Sequence, residues 1–256
     1  MPNLVDFESI KNKTVILRLD LNVPIENGKI INDFRLRKSL ETIRALRSVG
    51  NKLIILSHLG RPEEGTIDES LSLEPIYAYL AKNLDEDIKF EREWLTNLRD
   101  TIPTITLCEN TRFLSGEKSN DEGLSRKISE LGDIFVFDAF GVAHRKEAST
   151  YGVSNYIDYS AGPLLISEIK NAQKLLKNFS KPLCTIVSGA KISTKLTLLN
   201  TFLEKSDHVI LGGGILNTFL DAQGYNIGTS LCEPSFLDES KKILNFISLN
   251  SLIKYF

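Results

Sequence analysis

Apolar, β-like runs alternate along this chain with stretches whose apolar residues recur at helical spacing. Thr14-Val-Ile-Leu-Arg-Leu-Asp20 reads as a strand, and Leu36, Leu40, Ile43, Leu46 and Val49 then mark one helical face. Asn27-Gly28 between them is a turn signal; Asn32 or Asp33 suits the start of the helix and Gly50 its end. The next strand is Lys52–Ser57, and a helix begins near Ser72. Shorter β-like pieces lie at 88–90 and 105–108, a helix runs from about Asp121 to Gly132, and Asp133–Asp138 is another strand. Alternation of this kind predicts a parallel sheet with helices on both faces, a three-layer α/β/α lobe.

Beyond Thr150 the texture changes. Residues 151–162 read as a loop and Pro163 to about Phe179 as a helix. Strand and helix signals then resume: Leu183–Val187, a helix through Leu203, His208–Leu211 and a helix after Gly214. A two-stranded parallel sheet has too few layers to bury both of its faces. The expectation is an incomplete second α/β lobe with Val209-Ile-Leu211 open to solvent. The implied division is an N-terminal lobe over 1–160, an interdomain helix and linker over 161–180, and a partial lobe over 181–256.

Composition removes several classes. Net charge is −2 and no basic run occurs, which argues against nucleic acid as a partner. No apolar stretch reaches membrane-spanning length, and the N-terminal segment lacks the pattern of a signal peptide. Cys108, Cys184 and Cys232 are odd in number and widely spaced, so buried, reduced thiols in a cytoplasmic protein are expected.

Polar segments follow the strands: Arg18-Leu-Asp-Leu-Asn-Val-Pro24, Ser57-His-Leu-Gly-Arg-Pro62, Glu109-Asn-Thr-Arg-Phe113 and Asp138-Ala-Phe-Gly-Val-Ala-His-Arg145. Ligands of open α/β sheets sit outside the carboxyl ends of the strands. Arg18, Arg61, Arg112, Arg145, His58 and His144 are therefore expected in one cleft, with Arg35 joining from a helix start. A local cluster of guanidinium groups on an acidic chain asks for a small, highly anionic ligand, with phosphate the first choice. Asp20 and Asn22, two apart, point the same way in an extended segment and suit a substrate hydroxyl; a turn closed by Pro24 explains them equally well. His208 is assigned to structure. Further on, Ser188-Gly-Ala-Lys-Ile-Ser-Thr-Lys195 and Gly212-Gly-Gly214 each follow a strand and precede a helix, where backbone N–H groups bind phosphate. Lys191 and Lys195, four apart, share a face if that segment is helical. Neither the P-loop nor the dinucleotide glycine fingerprint is present, and close strand–helix packing would also account for the glycine run.

Taken in order, these segments, with Ala148-Ser-Thr150, Gly-Ala-Lys, Gly-Gly-Gly and Ala222-Gln-Gly-Tyr225, resemble the phosphoglycerate kinase family from the first strand to about residue 245. The resemblance implies a two-lobed, cytoplasmic, monomeric, glycolytic kinase. Such an enzyme moves phosphate between 1,3-bisphosphoglycerate and ADP, or between ATP and 3-phosphoglycerate in reverse, with Mg²⁺ carried by the nucleotide. It places Asp20 and Asn22 at the substrate hydroxyl, and His58, Arg61, Arg112 and Arg145 at the 3-phosphate. Arg35 falls at the reacting carboxyl-phosphate end and Lys191 on the transferring phosphoryl group, so these two are the implied catalytic residues. Gly189, Lys195, Gly212 and Gly213, with Lys191, fall on the nucleotide side. Two departures accompany the resemblance. Ser188 stands where the family has glycine, and the later Gly-Asn-Gly-Pro and Gly-Gly-Asp segments of the nucleotide lobe do not occur. The last dozen residues also leave the family pattern, so a truncated chain with impaired turnover is expected. A non-catalytic anion-binding lobe and, less favoured, a dinucleotide-dependent oxidoreductase stay open as alternatives.

Overall fold

The computed structural model describes residues 4–6, 9–98, 102–177 and 179–249. They divide into two compact units, 1–172 and 173–256. Position 178, near the end of the helix expected over 163–179, and residues 250–256 lie outside the described residues.

In the first unit the chain runs β1 (Thr14–Leu19), β2 (Ile25–Glu26), β3 (Lys29–Ile30), α1 (Phe34–Arg47), β4 (Lys52–Leu56), α2 (Glu74–Asn83), β5 (Ile88–Glu91), α3 (Trp94–Asn97), β6 (Ile105–Cys108), α4 (Glu122–Ser129), β7 (Ile134–Asp138) and β8 (Tyr159–Ala161), and the unit boundary falls within α5 (Pro163–Lys177). The main sheet is ordered β5-β6-β4-β1-β7-β8, with every pair parallel. Alternate residues of β1 feed two cores. Val15, Leu17 and Leu19 pack with Leu36, Leu40, Ile43 and Leu46 of α1 and with Ile76 and Leu80 of α2. Ile16 packs with Trp94, Leu124, Ile128 and Phe135 on the opposite face. Burial on both faces is what near-continuous apolar strands require, and it gives the expected three layers.

The local signals act as physical chemistry dictates. Asn27 (φ +49°) and Gly28 (φ +72°) take the left-handed turn that closes the β2–β3 hairpin. Asn32 Oδ1 accepts the Phe34 N–H at 3.0 Å at the start of α1, whereas Asp33 holds Arg37 instead. Asp121 Oδ1 accepts the Leu124 N–H at 2.7 Å and caps α4. One segment departs from expectation. Residues 159–161 form the edge strand β8, because Phe135, Val136 and Phe137 offer a free parallel edge to Tyr159, Ser160 and Ala161. A run of three residues is too short to show a period in sequence.

In the second unit β9 (Cys184–Ser188) pairs parallel with β10 (His208–Gly212), accompanied by α6 (Leu196–Leu203), α7 (Gly213–Ala222) and α8 (Leu237–Leu249). Val209 and Leu211 are buried, contrary to expectation, against Leu199, Leu203, Ile215, Phe219, Ile243 and Ile247. The helices cover one face of the pair, and strand alternation puts Ile186 on the other, 70% exposed. The cysteines also differ from expectation: all are free, but only Cys108 is buried, Cys184 being exposed and Cys232 half-buried. Cys184 falls on the uncovered parity of β9.

Candidate functional site

The order of the sheet fixes where a ligand can sit. The chain leaves β1 towards β4, while β7 flanks β1 on its other side and leads on to β8. Connections thus diverge at β1 and β7, and the crevice lies beyond the carboxyl ends of these strands. The loops there are tied together from within. Ser57 Oγ donates to the Leu19 carbonyl and accepts the Leu21 N–H, both at 3.0 Å, joining the ends of β4 and β1. Asn110 Oδ1 accepts from Leu59 N and Arg112 N, and its Nδ2 donates to the carbonyls of Leu59 and Leu71. The Glu109 carboxylate takes Ser72 Oγ at 2.6 Å and Leu73 N at 2.8 Å just before α2. Glu109 and Asn110 thus hold loops in place.

Several expected ligand residues converge on this frame. Asn22 Oδ1 accepts the Gly60 N–H at 3.1 Å, so the loops after β1 and β4 touch. Arg35 Nη1 donates to both Asp20 oxygens, at 2.9 and 3.0 Å, and to the Asn22 carbonyl at 3.0 Å. Asp20 and Asn22 are therefore already hydrogen-bonded, and Asp20 Oδ1 also accepts the Asn22 N–H in an Asx-type turn. Arg112 Nη1 reaches the Gly60 carbonyl at 2.5 Å. Its Nη2 lies 3.3 Å from Glu147 Oε1, and Arg145 Nη1 lies 3.4 Å from the same oxygen. Arg61 follows Gly60 directly; its side chain is exposed and makes no ion pair among the described residues. His144 is exposed and lines a groove of about 480 Å³ with Tyr151, Tyr159 and Leu165.

Beneath the crevice lies a polar layer. Arg18, expected in the cleft, is fully buried. Its position on β1 has the parity of Ile16, so its side chain enters the face of the sheet that carries α4. Nε donates to Ser149 Oγ at 3.1 Å, Nη1 to the Leu19 carbonyl at 2.6 Å, and Nη2 lies 3.3 Å from His58 Nδ1. Ser149 in turn donates its hydroxyl and its N–H to the two oxygens of buried Glu117. Burial pushes the Glu117 carboxyl up, opposed by Arg18 and the Ser149 hydrogen bonds. Burial also lowers the imidazolium of His58 to about 2, reinforced by Arg18, Arg112, Arg145 and Arg35. Arg35, Arg112 and Arg145 are joined to one another through Asn22, Gly60 and Glu147. The sequence reading missed Glu117, Glu147 and Ser149 as parts of this site. Glu147, two residues from Arg145, carried a local signal, and Ser149 lay in the Ala148-Ser-Thr150 segment without a role assigned to it.

In the second unit the segment 191–195 forms turns, and α6 starts only at Leu196. Lys191 and Lys195 therefore do not share a helical face; the Lys195 N–H closes a turn onto the Ile192 carbonyl at 2.9 Å. Lys191 is exposed, while the Lys195 stem passes over Gly189. Gly213 has φ +62°, and a Cβ there would lie 2.9 Å from the Gly189 carbonyl oxygen. A Cβ at Gly214 would lie 2.2 Å from the Ala190 oxygen. Close approach of two backbones thus gives Gly213 and Gly214 a packing reason. Gly189, Lys195, Gly212 and Gly213 are neighbours in this unit, since a Cβ at Gly212 would also meet the Ser188 side chain.

Comparison with known proteins joins these observations. The family profile described as phosphoglycerate kinase matches residues 4–251. A phosphoglycerate kinase of Legionella pneumophila (strain Lens) is 49% identical over 245 residues, covering 94% of this chain and 62% of its own length. One from Francisella philomiragia is 45% identical over 236 residues, covering 92% of this chain and 60% of its own. The solved phosphoglycerate kinase of Coxiella burnetii superposes with a TM-score of 0.83 at 44% identity, covering 99% of this chain and 66% of that one. The Pyrococcus horikoshii enzyme gives 0.80 at 28% identity, covering 96% and 65%. The chain therefore spans about three fifths of the length of the curated relatives, as the 62% and 60% coverages show. With its sheet order and its strand-end arginines, the chain belongs to the phosphoglycerate kinase family.

Proposed function

We propose that this chain carries the acid-substrate side and part of the nucleotide side of a kinase. The enzyme would transfer a phosphoryl group reversibly between 1,3-bisphosphoglycerate and ADP, giving 3-phosphoglycerate and ATP in glycolysis. The observation that carries the reading is the hydrogen-bonded linkage of Arg35, Arg112 and Arg145 at the strand ends: Arg35 holds Asp20 and the Asn22 carbonyl, Asn22 holds Gly60, and Arg112 reaches both Gly60 and Glu147, which it shares with Arg145. Residues 1–160 would bind the phosphoglycerate, 161–180 would link the lobes, and 181–256 would be part of the nucleotide lobe. His58, Arg61, Arg112 and Arg145 would hold the 3-phosphate, Asp20 and Asn22 the hydroxyl region, and Arg35 the carboxyl end. Lys191 would meet the transferring phosphoryl group. Gly189, Lys195, Gly212 and Gly213 would face the nucleotide, which arrives with its Mg²⁺.

The chemistry suits the residues. In the direction of ATP consumption the acceptor is a carboxylate, ionised before it reacts, so no general base is needed. Catalysis then reduces to aligning the two substrates and neutralising charge on the phosphoryl oxygens. Cations and N–H donors do this, and both are what the site supplies. The substrates are small molecules; we place the protein in the cytoplasm and read it as a monomer.

Calorimetric titration of the 256-residue polypeptide with 3-phosphoglycerate, ATP and NAD separately tests the reading. Binding of 3-phosphoglycerate with none of NAD is expected. A polypeptide that ignores 3-phosphoglycerate overturns the proposal, and one that takes NAD favours the oxidoreductase. In a coupled assay the same polypeptide should turn over far more slowly than a full-length relative. A rate matching the relative would show that residues 1–256 hold all that transfer needs.

A further inference from the structure

We propose that Arg18, Ser149 and Glu117 form a positioning chain that fixes His58 as its Nε2–H tautomer, so that the imidazole faces an anionic ligand as a hydrogen-bond donor. The tautomer stands on geometry alone; its consequence for ligands rests on the reading of the crevice as the phosphoglycerate site.

The direction of each hydrogen bond is forced. A guanidinium has five donors and no acceptor. Arg18 Nη2, 3.3 Å from His58 Nδ1, can only donate, so Nδ1 must present its lone pair. A neutral imidazole with an accepting Nδ1 carries its proton on Nε2. Arg18 cannot turn away to free Nδ1, because Nη1 is held by the Leu19 carbonyl and Nε by Ser149 Oγ. Ser149 has one hydroxyl proton and gives it to Glu117 Oε1, which leaves its lone pair for Arg18. Glu117, fully buried, sets the direction of the whole chain because a carboxylate can only accept.

The cations that oppose a second proton on the imidazole are Arg18 from β1, Arg35 from α1, Arg112 from the loop after β6 and Arg145 from the loop after β7. The carboxylates of the same cluster are already engaged by them: Glu117 with Arg18 through Ser149, Asp20 with Arg35, and Glu147 with Arg112 and Arg145. His58 is nearly buried, at 2% exposure, so water does not relieve that repulsion. The ring therefore stays neutral where most histidines titrate. It offers a phosphate oxygen an N–H and never an acceptor. A phosphomonoester loses its second proton near pH 6, at a pKa of about 6. Its affinity here should follow that single ionisation, without a histidine component.

The test is a long-range ¹⁵N–¹H correlation spectrum of ligand-free, ¹⁵N-histidine-labelled protein between pH 5 and 8. Of the three histidines, His58 is assigned by the signals that vanish in His58→Gln. The expected pattern is an unprotonated Nδ1 and a protonated Nε2 that do not change across the range. A protonated Nδ1, or a midpoint within the range, overturns the proposal. Ser149→Ala removes the anchor of Arg18 Nε, and His58 should then show mixed tautomers. An unchanged pattern in a folded Ser149→Ala protein removes Ser149 and Glu117 from the chain; if that variant does not fold, the wild-type spectrum decides. Titration with 3-phosphoglycerate separates the two readings. The expected spectrum without binding leaves the tautomer in place and overturns the proposed function.

Discussion

Replacing Glu147 by glutamine should weaken the first unit and strengthen its grip on an anion. The carboxylate is 9% exposed, with Arg112, 3% exposed, 3.3 Å away and Arg145, 31% exposed, 3.4 Å away. At an effective dielectric constant near 20, unit charges about 4 Å apart attract by about 4 kcal/mol. Glutamine removes that attraction but also the cost of keeping Glu147 dehydrated, and its carbonyl still accepts from Arg112. The net loss therefore falls below the roughly 3–5 kcal/mol of cutting a buried pair, at about 2 kcal/mol. The half-exposed Arg145 adds little, because solvent screens it. Trp94 is the sole tryptophan, 2% exposed and within the first unit, so its fluorescence in urea reports this unit. The transition midpoint should fall with an unchanged slope. Binding should move the other way, because the carboxylate repels a phosphate brought to the same guanidinium groups. Relieving even about 1 kcal/mol, the value for unit charges 4 Å apart in water, tightens 3-phosphoglycerate about fivefold. Calorimetry showing weaker binding in Glu147→Gln would defeat the argument, since Glu147 would then be an acceptor for the ligand and no rival to it. An unmoved midpoint would show that the two ion pairs contribute nothing.

Arg61→Ala removes a charge-assisted contact worth roughly 1.5–3 kcal/mol and should cost about tenfold or more in 3-phosphoglycerate affinity; an unchanged Kd refutes its role. His58 titrates near 6.5 when unfolded and is held at about 2 when folded, so its contribution is complete above pH 6.5 and is lost as pH falls through that window. The slope it adds is at most about 1.4 kcal/mol per pH unit. Wild type should therefore lose stability faster than His58→Gln between pH 6 and 4.5. The raised carboxyls of Glu117 and Asp138 act with the opposite sign but cancel in that difference, and parallel curves would contradict the reading. Gly213→Ala places a Cβ 2.9 Å from the Gly189 oxygen at φ +62° and should destabilise the second unit by about 1–3 kcal/mol. Amide exchange of β9 and β10 measures that loss, and unchanged protection would mean that the turn adjusts freely.

The sequence made the layers of the first unit legible because its strands are apolar on both faces and its helices on one. Val15, Leu17 and Leu19 against Ile16 is a pattern that only a covered sheet satisfies. The edge strand β8 escaped because a run of three residues is too short to show a period, and its backbone pairing with β7 leaves no mark on composition. In the second unit the residue types were read correctly and their faces were not. Val209 and Leu211 alternate with Ile210, and nothing local states which parity the helices will cover. Lys191 and Lys195 illustrate the same limit. Spacing of four carries meaning only inside a helix, and α6 begins only at Leu196, after both lysines.

The cations of the crevice were legible and their counter-ions were not, and this changes what the site offers a ligand. Arg35 is held by Asp20, fifteen residues away; Arg112 and Arg145 share Glu147; Arg18 reaches Glu117 through Ser149, 131 residues on in the chain. Apart from Arg145 and Glu147, two residues apart, such pairings span separate elements, so no short window of sequence displays them. A count of arginines consequently overstates the free positive charge. An incoming phosphate competes with carboxylates already in place, and part of its attraction goes into that exchange. Arg61, without an ion pair among the described residues, has nothing to give up. Its contact with a ligand should therefore contribute more net affinity than that of Arg35, whose Nη1 is already engaged by Asp20 and the Asn22 carbonyl.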